Sequence, residues 1–558
     1  MKHFKKLFSY LVALTMVLSL ATFAGVNVHA EEDNTLTITN NGETAHTFEL
    51  YQIFTGTKKS GDNTLGDVKW GSSVTQDGKD HFGDAATKAA ELTKASDAEA
   101  FAKELVAGDN DNKKVYLSET AFQKSSAVKS GESYTFGATN KLPTGYYLVK
   151  DVDGSQTSSN SAYTEYICAV DGTTNLKTKL NVPTTIKKVQ ENKKNVNTNG
   201  KGTDSKMPKV QLGDHFNDVA DYAVGENIPY ELIGSLPTNY AKYTKGYYYQ
   251  FTDTMDKGLT RNNDVKAYVL DSNGLNPKEI KSGFTVSDVA KGSDGKSTFT
   301  VTFDNLKTIK DENRNVINTN SDSKIKVIFT AKLNGDAVYG NPGNVNESYL
   351  SYSNNYNNKD NHGETPHDKV VVFTYELDTT KVDNKDTSKK LANAHFILLD
   401  SNGDNPKYLH QEKDRTGKII ANTWKESKND ATDFVSREDG LFVIKGLDDG
   451  TYYLKETQAP EGYNTDSTLH EIKINATTSN GQTWNGMTNA LTTLKLGEHD
   501  DSGDAGTGVV KEQITNTKGS TLPSTGGMGT TLLYAAGGIL VACAAAYVIA
   551  SKKKSAKK

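Results

Sequence analysis

Along most of the chain, apolar residues alternate with polar ones over short stretches. Thr35-Leu36-Thr37-Ile38-Thr39 and Tyr249-Gln250-Phe251-Thr252-Asp253-Thr254-Met255 are examples. Such runs are rich in β-branched and aromatic residues and are punctuated by clusters of Asn, Asp, Gly and Ser. A period of two with turn-forming punctuation predicts half-buried strands and an all-β sandwich architecture. One stretch departs from it. From Ala85 to Val106, Ala, Leu and Phe recur among Lys and Glu at helical spacing, so a helix is expected there.

Two apolar runs break the pattern at the ends. At the N-terminus, Lys2, Lys5 and Lys6 precede the apolar stretch Leu7 to Leu20, and Val28-His29-Ala30 puts small residues at cleavage spacing. This is the form of a secretory signal over residues 1–30, with Glu31 as the mature start. At the C-terminus, Leu522-Pro523-Ser524-Thr525-Gly526 is followed by the apolar run Leu532 to Ala550. Lys552-Lys553-Lys554 and then Lys557-Lys558 close the chain. At 1.5 Å per residue the run is about long enough for a hydrocarbon core of about 30 Å. The basic cluster resists export and keeps the tail cytoplasmic.

The length between these ends suits about three domains of roughly 150 residues. Module boundaries are expected at 31–182, 183–372 and 373–518, with 519–558 as the terminal signal. Short junctions, without Pro- or Gly/Ser-rich linkers, point to an elongated, stiff rod. The net charge of −5 gives no case for a nucleic-acid partner. The two cysteines, Cys168 and Cys543, add a constraint, because the second lies in the terminal apolar run. An exported chain is free to form disulfides, yet this one has no pair to form within its mature part. Any covalent staple must be of another kind.

Strand alternation supplies candidates. In the third module Lys381 shares a face with Leu377 and Tyr375, Glu456 with Leu454 and Tyr452, and Asn516 with Ile514. A lysine, a glutamate and an asparagine are thus directed among core residues. Burial disfavours their charged forms. It leaves a nucleophilic amine and a proton-carrying acid beside an amide. Held in register, the amine can attack the asparagine amide and expel ammonia without an external enzyme. In the second module, alternation places Lys188 with Ile186, Asp253 with Phe251 and Met255, and Asn346 with Leu350. Lys187 and Asn344 are the alternatives one step out of register. The first module lacks the set. Its first strand, Thr35 to Thr39, has no lysine, and Asp151 stands where a glutamate is expected, so no bond is expected there. Gly145-Tyr146-Tyr147-Leu148-Val149-Lys150-Asp151 and Gly450-Thr451-Tyr452-Tyr453-Leu454-Lys455-Glu456 otherwise look alike as late sandwich strands.

Several of these motifs resemble known families. The pentapeptide, apolar helix and positive tail resemble the sortase sorting signal of Gram-positive surface proteins. That resemblance implies cleavage between Thr525 and Gly526. Leu454 to Tyr463 resembles the signature of collagen-adhesin B-type domains, which implies a Lys381–Asn516 isopeptide bond with Glu456 as its acid. The second module resembles the middle domain of pilus backbone proteins, whose acid is an aspartate, and so implies Lys188–Asn346 with Asp253. Leu176-Lys177-Thr178-Lys179 lies where such proteins carry an acceptor lysine. Lys179 fits best and Lys177 is the alternative, although no Tyr-Pro precedes either. The resemblance implies a pilus shaft subunit in the cell wall, joined head to tail by a pilus sortase and passed to peptidoglycan by a housekeeping one. Ancillary pilins and host surfaces are its further implied partners. The alternative is a wall-anchored adhesin that is never polymerised. No catalytic nucleophile motif, zinc signature or phosphate loop is present. The 11 histidines lack ligand spacing. The acidic loops Asp109 to Asp111 and Asp500 to Asp504 do not complete a calcium loop. No cofactor, metal or enzymatic turnover is expected.

Overall fold

The computed structural model describes residues 34–42, 44–58, 65–109, 112–152, 155, 162–178, 182–192, 203–358, 360–478, 489–498, 502–520 and 528–555. The leader, Lys179 and the Leu522 to Gly526 pentapeptide lie outside the described residues.

Three β-sandwiches follow one another. In the first, a three-stranded sheet is built on Thr35–Thr39, with Ser133–Phe136 antiparallel on one side and Thr173–Lys177 parallel on the other. A second sheet carries Phe48–Lys58, Gly145–Asp151 and Glu165–Val170. Leu36, Ile38, Phe48, Leu50, Tyr147 and Val149 close the space between the two sheets. The far face of the second sheet is also apolar, at Tyr51, Ile53, Phe54 and Leu148, and the helices cover it. There the expected single helix is two, Ala85–Glu91 and Ala95–Ala107, preceded by an unforeseen third, Gln76–Phe82. Local caps make the division. The Thr75 hydroxyl accepts from Gly78 N, the Asp84 carboxylate accepts from Thr87 N, and Asp97 accepts from Lys94 N. Cys168 is buried and unpaired, and burial pushes its thiol up to about 12, which makes it a core residue rather than a reactive one.

The second sandwich opposes two large sheets. One contains Thr185–Gln190, Asn227–Ser235 and Lys324–Leu333. The other contains Asp368–Phe373, Asn344–Ser353, Tyr249–Met255 and Ser297–Phe303. Val189, Tyr230, Leu232, Phe251, Val301, Phe329 and Leu350 lie between them. In the third sandwich, Tyr375–Asp383 pairs in parallel with Val509–Asn516 and antiparallel with Leu441–Leu447. The facing sheet centres on His395–Leu399 and Gly450–Gln458.

The seams between sandwiches are packed. Tyr163 of the first donates its N–H to Asn354 O of the second at 2.8 Å and meets Tyr356 edge-on at 5.8 Å. Lys242 pairs with Glu99 at 2.9 Å across the same seam. Only Thr374 separates the Asp368–Phe373 strand from the Tyr375–Asp383 strand. Val224 N donates to Gly446 O at 3.0 Å, and Asn422 N donates to Val224 O at 2.7 Å. Gly340 and Gly508 have positive φ, and a Cβ built on either would lie 2.2 Å from the other's backbone nitrogen. Glycine is what lets these two loops meet.

At the C-terminus a helix spans Met528–Ser555, and its segment Leu533–Lys552 is long and apolar enough to cross a membrane.

Candidate functional site

Two buried polar sets lie inside the second and third sandwiches. In the third, Lys381 continues the buried face of its strand after Tyr375, Leu377 and Thr379, and its side chain is fully buried. Its Nζ lies 3.3 Å from Glu456 Oε1 and donates to Thr515 O at 3.1 Å. On the other side of the same carboxyl, Asn516 Nδ2 donates to Glu456 Oε2 at 2.9 Å. Asn516 Nδ2 also reaches Asn464 O at 2.5 Å, and Asp466 N donates to Glu456 Oε2 at 2.6 Å. The carboxyl therefore stands between the amine and the amide. The parallel register puts Asp383 opposite Asn516 and Lys381 opposite Ile514, so amine and amide lie two residues apart along neighbouring strands. Phe396 covers the amine, with its ring centroid 5.3 Å from Nζ. Burial lowers the Lys381 pKa, against the opposing pull of Glu456. The structure thus brings Lys381, Glu456 and Asn516 together.

The second sandwich repeats the plan with one change of residue. The side chain that contacts Asp253 is Lys187, not Lys188. Both Lys187 and Asp253 are buried, at 0% and 1% exposure. Lys187 Nζ lies 5.3 Å from the ring centroids of both Tyr230 and Phe329. Its backbone N–H donates to Asp368 Oδ2 at 2.7 Å. Burial lowers the Lys187 pKa and raises that of Asp253, each opposed by the other group. Asn346 is fully buried next to Asp253 and helps restrain its rise. Neither atom of the Asn346 amide closes a hydrogen bond of ordinary geometry. Asn344, the alternative, is committed elsewhere. Its amide donates to Val338 O and Val372 O and accepts from Val338 N.

The expectation of Lys188 misplaces the amine for a physical reason. The strand Thr185–Gln190 is buried on both faces. Alternation from Ile186 points to Lys188, but Ile186 packs with Met207, Val210, Leu212 and Ile233 in a separate cluster outside the sheet. Lys188 shares that outer face, where Asp204 and Asp218 hold its Nζ. Val189, in the main core, marks the inner face, and Lys187 belongs with it. The aromatic shelves at Tyr230, Phe329 and Phe396 went unforeseen, because nothing in local spacing links them to a lysine in another strand.

In the first sandwich the corresponding acid, Asp151, is fully buried and meets a histidine instead of a lysine. His46 Nδ1 lies 2.9 Å from Asp151 Oδ1, and Thr164 N donates to Oδ2 at 2.7 Å. Lys177 is exposed at the end of the strand Thr173–Lys177, opposite Thr39, and its carbonyl accepts from the Tyr166 hydroxyl at 2.6 Å. In the acidic loops, Asp109 holds Asn112 and Asp504 holds Gly506 and Thr507. Among the described residues no group of three or more His, Cys, Asp or Glu is placed to hold a metal ion.

Profiles of two domain families match the chain. A Gram-positive pilin backbone subunit 2, Cna-B-like domain matches residues 224–356, and a SpaA prealbumin-like fold domain matches residues 375–488. The trypsin-resistant surface T6 protein of Streptococcus pyogenes serotype M6 is 23% identical over 397 residues, which is 60% of this chain and 66% of that protein. The chain thus spans just under two thirds of that relative. Among solved structures, the T6 backbone pilin of serotype M6 Streptococcus pyogenes is 17% identical, with 88% of this chain and 100% of that one aligned at a TM-score of 0.47. The pilus 2b backbone protein of group B streptococcus is 22% identical, with 58% of this chain and 100% of that one aligned at a TM-score of 0.38. These families are structural rather than enzymatic. Residues 224–356 thus match the pilin backbone domain of Gram-positive bacteria, and residues 375–488 match the prealbumin-like domain.

Proposed function

We propose that the chain is the polymerising shaft subunit of a cell-wall pilus, stapled internally by Lys187–Asn346 and Lys381–Asn516 isopeptide bonds. The observation that carries this reading is the pair of buried Lys–acid–Asn sets. Each joins the opening strand of its sandwich to a late one. In the third module the neutral Lys381 amine attacks Asn516 Cγ. Glu456 takes a proton from Nζ on one oxygen and supplies one to Nδ2 from the other, and ammonia departs. Asp253 serves Lys187 and Asn346 in the same way. Orientation by the fold replaces an external catalyst.

Between subunits, a pilus sortase cuts after Thr525 and joins it to Lys179 of the next copy, with Lys177 as the alternative acceptor. A housekeeping sortase then moves the finished shaft to peptidoglycan. With those attachment points, tension enters after the first module and runs through the second and third only, which are the two with staples. The first module, where Asp151 meets His46, stands outside that path.

The test is an immunoblot of wall extracts boiled in detergent, from cells expressing wild type, Lys179→Ala and Lys177→Ala with an intact pilus sortase. A high-mass ladder that collapses to monomer in one variant supports a covalent shaft and identifies the acceptor. A single monomer band in all three overturns the shaft reading and leaves a wall-anchored adhesin.

A further inference from the structure

A loop beside the third-module site makes contacts that the Lys–acid–Asn set by itself does not require. Residues 460–466 follow the Gly450–Gln458 strand, which carries Glu456, and reach the end of the Val509–Asn516 strand. Gly462 O accepts from Gly519 N at 2.8 Å, and Asn464 N donates to Thr517 O at 3.0 Å. Two backbone groups of the same loop turn toward the buried set. Asn464 O accepts from Asn516 Nδ2 at 2.5 Å, and Asp466 N donates to Glu456 Oε2 at 2.6 Å. Glu456 Oε2 is the second acceptor of Asn516 Nδ2, at 2.9 Å, so both N–H bonds of that amide are engaged. An unheld asparagine amide turns freely about its last torsion. Two fixed N–H directions set the amide plane, and with it the line along which an amine can approach Cγ. Asn516 Oδ1 is left buried without a hydrogen bond.

The loop is itself pinned by one side chain. The Tyr463 hydroxyl donates to Asp383 Oδ2 at 2.7 Å. Asp383 stands opposite Asn516 in the parallel register. Its other oxygen accepts from Lys385 N at 2.8 Å and Asp386 N at 3.3 Å, so the carboxyl is fixed by its own turn. The Tyr463 hydroxyl holds the Asp383 carboxyl below its usual range, and a charged acceptor makes the stronger bond. Lys389 Nζ lies 5.4 Å from the Tyr463 ring centroid. We propose that Tyr463, through Asp383, is a positioning residue for the third-module bond, pinning the loop so that Asn464 O sets the plane of the Asn516 amide before Lys381 attacks. This rests on the Lys381–Asn516 bond of the proposed function. Tyr463 acts through the loop and not on the reacting atoms. The second module supplies the contrast, because neither atom of its Asn346 amide is held by a bond of ordinary geometry. Its link does not depend on such a pin.

The test is pulsed cell-free synthesis of the full chain, sampled at intervals, digested and weighed for the joined Lys381–Asn516 and Lys187–Asn346 peptides. Limited proteolysis of the same samples reports when the third module has folded. Tyr463→Phe removes the hydroxyl alone. It should slow the third-module link on the order of tenfold or more. A folded, protease-resistant and unlinked third module should then accumulate, while the second-module link keeps its wild-type rate. Asp383→Ala should do the same. Asp383→Asn should restore the wild-type rate, because its Oδ1 still accepts from the turn and its Nδ2 donates to the hydroxyl. Linking of Tyr463→Phe within about twofold of wild type overturns the proposal. So does a delay matched by an equal delay in protease resistance, which would make Tyr463 a folding residue only. A wild-type chain that never links in the third module overturns the Lys–Asn reading itself and the proposal with it, so the two failures are distinct.

Discussion

At the residue scale, the chemistry proposed for the third module would depend on one carboxyl that touches both nitrogens. Glu456→Ala removes the proton path between Lys381 and Asn516. The chain should then retain one ammonia relative to wild type, as read by intact mass. Retention of the wild-type deficit would show that another group carries the proton. In the second module the pKa directions predict a pH profile for bond formation after rapid refolding. Burial lowers Lys187, so neutral amine is available below the ordinary lysine value of about 10.4. Burial raises Asp253, so proton donation persists above the ordinary aspartate value of about 3.9. The rate should pass through a maximum between those values, falling on the acid side as the amine protonates and on the alkaline side as Asp253 ionises. Quenched samples taken through refolding and weighed by mass spectrometry would trace it. A rate that only climbs with pH would remove Asp253 from the role.

At the element scale, the proposed staples would connect strands distant in sequence, Tyr375–Asp383 with Val509–Asn516 and Thr185–Gln190 with Asn344–Ser353. Each would close a loop of well over 100 residues. By analogy with disulfides, this removes on the order of 4 to 5 kcal/mol of unfolded-chain entropy. Asn516→Ala should therefore lower the unfolding temperature of the third module by roughly 10 °C or more in calorimetry. A shift of a degree or two would mean that the bond had not formed in wild type. The same elements explain how far the sequence could be read. Tyr375–Asp383 has one buried face, so alternation from Tyr375 leads straight to Lys381, and Glu456 and Asn516 follow in the same way. Thr185–Gln190 is buried on both faces, so an apolar neighbour does not tell inside from outside, and alternation from Ile186 leads to Lys188 where Lys187 is the residue that meets Asp253. The covering segment with Met207, Val210 and Leu212 is what hides the difference. Likewise the helices of the first module were legible as an apolar pattern, but their division depends on side-chain caps at Thr75, Asp84 and Asp97, which periodicity does not register.

At the scale of the whole molecule, the seams matter as much as the sandwiches. Gly340 against Gly508, and Val224 between Gly446 and Asn422, hold the second and third modules in direct backbone contact. A chain pulled between Lys179 and Thr525 should show no long extension from either module at forces that open unlinked sandwiches. In single-molecule pulling, Lys187→Ala and Lys381→Ala should each restore one extension step. A wild-type trace with two full steps would place the staples outside the load path. The closed position of Glu456, between two nitrogens of which the Lys381 amine is covered by Phe396, has a last consequence. These atoms meet only when strands from opposite ends of the module are already packed, so the proposed reaction would be a memory of folding. A subunit that has lost its ammonia has reached its native packing at least once, and no later unfolding erases that history. The intact mass of the secreted chain would therefore give the fraction that had folded.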